Sequence, residues 1–233
     1  MKSPLILASV LFLAPLASFA AEPAAPAVAP SAAASAFSPA QLTEGLKTGL
    51  GSIISQALSE GKLTVAAPSA LAKLQTALGK SGNGETATNF SDALSAAVKS
   101  LTPQVSGLMQ SSASDLKVTD ASSLLSGAPD AATQLLKKTA GPALREKLLP
   151  LVKQATASSG LAAKAKDMLA LAGPLASFGG GSKAAADLDG YVCDQVIAQG
   201  FALVAKEEAA VRANPSLLTS NPLAQKVFAA FKK

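Results

Sequence analysis

LDGYVCDQVIAQGFALVAKEEAAVR, residues 188–212, is the stretch whose reading decides the fold. Advancing about 100° per residue from Leu188, an apolar arc of the projected helix holds Val192, Cys193, Val196, Ile197, Leu203, Val204 and Val211. Asp187 and Asp189 stand at its start, where a side-chain oxygen caps free N–H groups and negative charge suits the helix dipole. Asn214-Pro215 closes it, because proline disfavours helical backbone in the residue before it. Glu207 falls near the middle of the apolar arc, while Lys206 and Arg212 fall outside it. Glu208 lies at the margin, four residues before Arg212, the spacing of an intrahelical ion pair. A carboxylate inside an apolar stripe has to find a partner or take up a proton. The reading is a paired Glu207 carboxylate that locks two helices together, with a ligand-contacting or catalytic acid, or an idle position near the helix end, as the alternatives.

The same periodicity extends upstream. Ser38 reads as an N-cap with Pro39 at the first helical position, and Leu42, Leu46, Leu50, Ile53, Ala57 and Leu58 recur at spacings of three and four up to Gly61. Gly45 and Gly49 form a G-x-x-x-G pair inside that run, which reads as a place where a second helix packs closely. Further helices are expected from about Pro68 to Leu78 and from Glu85 towards Leu108, the latter with a kink at Pro103. Residues 111–126 are Ser-rich, with room for one short helical turn. Helices at Pro129–Thr139, Pro142–Ala157 and Leu161–Leu171 follow, then a glycine loop at Phe178–Ser182, and a last helix at Pro222–Phe231 closes the chain. No segment alternates as a strand would. The expected fold is all-α, one multi-helix, bundle-like domain over residues 40–233.

Composition agrees. Nearly half the residues are hydrophobic (49%), yet aromatics are only 4% and Trp is absent, which favours close-packed Ala-rich helices over sheets. Histidine is absent as well, removing the commonest general base near neutral pH and the commonest zinc ligand. The single cysteine, Cys193, excludes an internal disulfide and reads as a small buried apolar side chain.

The N-terminus has the form of an export signal. Lys2 precedes an apolar run from Leu5 to Leu16, and Ser18-Phe19-Ala20 supplies small residues at the expected cleavage positions, so cleavage is expected near Ala20. The run is too short to span a bilayer, which needs about 20 residues. Residues 21–39, nearly all Ala, Pro and Ser, read as a flexible linker that cannot bury enough apolar surface to order itself. The expectation is an exported, soluble, periplasmic protein that does not span the membrane once cleaved.

Motifs of known chemistry fail on inspection. Gly79-Lys80-Ser81 ends like a phosphate loop, but Leu74 stands where the pattern requires glycine, and a helix precedes it where a strand should. Asp187-Leu188-Asp189-Gly190 places its glycine fourth rather than sixth for a calcium loop. Neither metal nor cofactor is expected. Charge is unevenly distributed: between 137 and 166, Lys137, Lys138, Arg145, Lys147, Lys153, Lys164 and Lys166 stand against Glu146 alone, whereas 187–208 holds five acids against Lys206. Either these halves pack together and pair their charges, or the basic stretch binds an anionic envelope component such as phospholipid head groups. Nucleic acid is not expected, with so few aromatics to stack on bases.

Gly127-Ala-Pro-Asp-Ala-Ala-Thr133, with Lys137-Lys138-Thr139 after it, resembles a segment of a bacterial exported family known as domain of unknown function 4197. Asp187–Val192, Gly200-Phe201, Ala205–Glu208, Val211–Pro215 and Lys226-Val227-Phe228 are similar to that family's C-terminal signature, the likeness covering roughly residues 42–231. Leu135-Leu136 stand where the family tends to carry an aromatic pair, and Lys206 where it tends to carry a third glutamate. The resemblance implies an exported helical protein and no particular activity; it marks Asp130, Thr133, Glu207, Glu208, Arg212 and Asn214 as shared positions. Together with Lys137, Lys138 and Arg145 these are the candidate binding or structural positions. The function expected is a non-catalytic envelope binding or interaction module; the alternative is a carboxylate-dependent hydrolase using Glu207.

Overall fold

A computed structural model of the chain describes residues 36–174 and 180–232. Among these residues there are nine α-helices and no strand. They are α1 (Pro39–Ala57), α2 (Ser69–Lys80), α3 (Gly84–Ser114), α4 (Ala121–Ser126), α5 (Ala131–Ser158), α6 (Leu161–Ala172), α7 (Gly181–Ala186), α8 (Leu188–Ala213) and α9 (Pro222–Ala230). A 3₁₀ turn, Pro215–Leu217, joins the last two. The expected signal sequence, its cleavage point and nearly all of the Ala/Pro linker lie outside the described residues.

Helix α1 starts where its side chains allow it to. Ser38 Oγ accepts from Gln41 N–H and the Gln41 side chain accepts from Ser38 N–H, a reciprocal capping box that satisfies two free donors. Its buried stripe, Leu42, Leu46, Leu50, Ile53, Ile54 and Ala57, faces α3 and α8. The G-x-x-x-G pair works as expected: a Cβ built on Gly45 lies 2.6 Å from Val227 Cγ2, and one on Gly49 lies 2.6 Å from Phe228 Cε2. Only glycine lets α9 sit that close to α1. Helix α3 lies centrally and touches α1, α2, α5, α6 and α8, with Phe90 and Leu101 fully buried.

One expected break is absent. The helices anticipated on either side of Gly141-Pro142 form a single helix, α5, which contains Pro142 and Pro150; α3, expected to run towards Leu108, continues through Pro103 as far as Ser114. Each proline removes one helical hydrogen bond. All three are exposed, so the carbonyls they release face water. The opposite face of α5 buries Leu136, Leu144, Leu148 and Val152, and that burial outweighs the missing bonds. The anticipated glycine loop also contracts: Gly180 takes a left-handed φ of 72° and α7 begins at the next residue, while residues 178–179 lie outside the described part.

Helices α5 and α8 form the most extensive helix pair and run antiparallel, since Thr133 meets Glu208, Arg145 meets Asp194 and Thr156 meets Asp189. The basic and acidic halves read from the sequence therefore do pack against each other.

Candidate functional site

Glu208 is the buried carboxylate, not Glu207. It is 0% exposed, whereas Glu207 is half-buried. The buried face of α8 turns around the helix axis along its length. In the first half Leu188, Val192 and Val196 point inward; in the second, Gly200, Phe201, Val204, Glu208 and Val211 do. One apolar arc averaged over the whole helix is pulled towards Leu203, which is only half-buried, and so lands on the wrong glutamate.

The local geometry follows from three helix ends meeting. Helix α5 begins after Gly127-Ala-Pro-Asp130, and its first N–H groups have no partner within the helix. Asp130 holds the N-cap position without capping; its carboxylate accepts instead from Gln134 Nε2 at 2.8 Å. The capping oxygens come from α8. Glu208 Oε1 accepts from Ala132 N–H at 3.1 Å, and Oε2 accepts from Thr133 N–H at 2.8 Å and from its Oγ1 at 2.6 Å. Arg212 completes the group, donating from Nε (3.0 Å) and Nη2 (2.7 Å) to Oε1. The guanidinium also donates to the carbonyls of Leu124 and Leu125 near the end of α4, and lies 5.8 Å from the centre of the Phe228 ring on α9. One ion pair thus supplies acceptors to the start of α5 and donors to the end of α4, while its arginine packs against α9.

Chemically this is a filled site. The Glu208 carboxylate accepts five hydrogen bonds and its charge is balanced by a guanidinium that is itself nearly buried. Among the described residues no buried side-chain polar atom lacks a partner. An acid so placed positions helices; none of its surface is open to solvent. Glu207 borders none of the principal cavities.

A second polar junction lies near the other end of the α5–α8 pair. Arg145 Nε donates to Asp194 Oδ1 at 2.6 Å across the helix interface, with about half of each side chain exposed (50% and 56%). This pairing raises the arginine's pKa above its ordinary value. Thr156 Oγ1 donates to Asp189 Oδ1 at 2.6 Å. Asp187 caps α8 by accepting from Gly190 N–H, and a Cβ at Gly190 would lie 2.5 Å from that carboxylate, so glycine makes room for the cap. Cys193 is fully buried; burial first, then Asp194, pushes its thiol above the ordinary range, with Arg145 opposing.

Of the positions singled out in the sequence, Thr133, Glu208 and Arg212 come together in the clamp and Asp130 stands beside it at the start of α5. Arg145 belongs to the second junction. Lys137 and Lys138 are exposed on α5, and neither they nor Lys147, Lys153, Lys164 or Lys166 has an ion-pair partner among the described residues. Sequence reasoning missed the Leu124 and Leu125 carbonyls and the Ala132 N–H, which are backbone groups without residue-specific signal. It also missed the Thr156–Asp189 bond. No cluster of metal-ligating side chains occurs among the described residues, and no helix there is long and apolar enough to cross a membrane.

These features define a class: an all-helical domain whose principal buried ion pair joins helix ends rather than serving an exposed reaction site. The chain belongs to the family described as protein of unknown function DUF4197, whose model matches residues 35–229. The match spans both segments that build the clamp, the Gly127–Thr133 run and the Glu208–Arg212 turn. No curated protein and no solved structure matches the chain.

Proposed function

We infer that this protein is an exported, non-catalytic binding module of the bacterial envelope, and that the lysines of α5 and α6 are the surface it offers to an anionic envelope component. The observation that carries this reading is the imbalance left after the two charged halves have packed. Arg145 takes Asp194, while Lys137, Lys138, Lys147, Lys153 and Lys166 stay exposed with no acid in ion-pair range among the described residues. Uncompensated charge of one sign attracts counter-ions and anionic head groups at the range of a Debye length, about 8 Å at physiological salt. The signal-like N-terminus supports export, and Glu207, the acid of the hydrolase alternative, borders none of the principal cavities.

Co-sedimentation of residues 21–233 with vesicles tests this reading. Vesicles rich in phosphatidylglycerol should retain the protein at low salt, neutral phosphatidylcholine vesicles should not, and retention should fall as salt rises. Reversing Lys138 and Lys153 to glutamate should weaken it while leaving the fold intact. Equal behaviour on both vesicle types would remove the basic surface from the function.

A further inference from the structure

The largest of the principal cavities lies away from the clamp and from the α5–α6 lysines, along the outer face of α3, with a volume of about 730 Å³. That falls within the range of small-molecule sites, about 300–1,000 Å³. Leu58 closes one side of it just beyond α1. On α3, Ala96, Pro103 and Gly107 project little, while Ser100, Ser106 and Gln110 add polar groups to the wall; the groove is an open trough whose exposed lining is predominantly apolar.

Its rim carries three further polar features. Lys99 Nζ stands 3.4 Å from the Glu60 carboxylate, with both side chains mostly in water (72% and 81% exposed). An exposed pair of this kind contributes little and opens at small cost. The third feature follows from the sequence of α3: Pro103 has no N–H, so the Lys99 carbonyl lacks its helical donor. Lys99 and Pro103 both border the groove, which places that free acceptor at its edge.

One cation, one anion and one unpaired carbonyl beside an apolar trough complement a particular kind of molecule. A head group with a single negative charge would satisfy Lys99 and be repelled by Glu60. A head with both charges satisfies all three: its acid group meets the Lys99 ammonium, and its own ammonium meets the Glu60 carboxylate and the Lys99 carbonyl. The alkyl chain then lies over Ala96, Pro103 and Gly107. We propose that the α3 groove binds a single-chain zwitterionic amphiphile of the phosphoethanolamine class. The site shares no residue with the basic surface, so either assignment stands or falls without the other.

The experiment is a titration of residues 21–233 with lauroyl lysophosphatidylethanolamine, below its micelle concentration, followed by calorimetry. The phosphoglycerol analogue of the same chain length serves as comparison. Saturable, stoichiometric binding is expected, several-fold tighter for the ethanolamine head, with Glu60→Gln erasing that preference. Gly107→Leu should abolish binding without harming the fold. A Cβ at Gly107 meets nothing within 4 Å, and leucine is the better helix former, so the melting temperature should hold or rise. Binding that survives Gly107→Leu would put the amphiphile elsewhere and overturn the site. Equal affinity for the two heads, or no saturable binding, would overturn the assignment to a zwitterion.

Discussion

The α5–α8 pair carries two arginine–carboxylate contacts of similar length in opposite surroundings. Arg212–Glu208 closes at 2.7 Å with side-chain exposures of 13% and 0%; Arg145–Asp194 closes at 2.6 Å with both about half exposed. Distance alone would rank them equal. In the first, water has been replaced by backbone groups of two other helices, so removing one partner strands the rest in a low-dielectric interior. In the second, water replaces whichever partner is lost. What separates them is what else each group holds up.

The largest break in this comparison should come from Glu208→Ala. It leaves a nearly buried guanidinium without its counter-charge and two N–H groups of α5 without acceptors, and loss of one member of such a pair costs about 3–5 kcal/mol. For a domain of this size that lowers the melting temperature by on the order of 10 °C, measurable by circular dichroism. A loss no greater than that of a surface variant would show that water enters the clamp.

Next in size is a steric test at the seat of α9. Gly45→Ala sets a methyl 2.6 Å from Val227 Cγ2 and 3.0 Å from its Cβ, which cannot rotate away. Overpacking of this kind costs about 1–3 kcal/mol, partly offset by the better helix propensity of alanine. Gly51→Ala, in the same helix with nothing within 4 Å, should instead stabilise by up to about 1 kcal/mol. Urea denaturation of the two variants side by side gives opposite signs if α1 and α9 touch as described.

Asp194→Ala should change the melting temperature far less than Glu208→Ala, and high salt should erase the difference from the parent. An effect rivalling that of Glu208 would mean that the exposed pair is shielded in solution.

The smallest expected effect is a pH dependence at the other end of α4. Asp120 caps that helix, accepting from the hydroxyl and N–H of Ser123, and these bonds hold its carboxyl below the ordinary value. A lowered folded-state pKa contributes stability above the unfolded value that is lost as pH falls towards the folded one. The stability gap between the parent and Ser123→Ala should therefore be constant near neutrality and close in acid, below the usual aspartate range. A gap that widened in acid would contradict this.

Much of the fold was legible because helical spacing is local. The boundaries of α1, α2, α6, α8 and α9 follow from their apolar stripes and flanking Ser, Gly and Pro residues. Pro142 misled, because a proline's local cost is visible in the sequence while the compensating burial of Leu144, Leu148 and Val152 against distant helices is not. At the clamp, the four-residue spacing announced the Glu208–Arg212 pair, yet the depth of each glutamate depended on how far the buried face of α8 turns, which partner helices decide. The capping of α5 by a side chain from α8 joins residues 75 positions apart, and nothing near Thr133 signals it.

The notch made by Gly45 and Gly49 has a consequence for the order in which the chain can become whole. It seats the last helix against the first, two segments separated by nearly the full length of the domain. A chain emerging from its N-terminus carries an unfilled flank on α1 until its final residues are free. That flank is filled when Val227 and Phe228 arrive against Gly45 and Gly49.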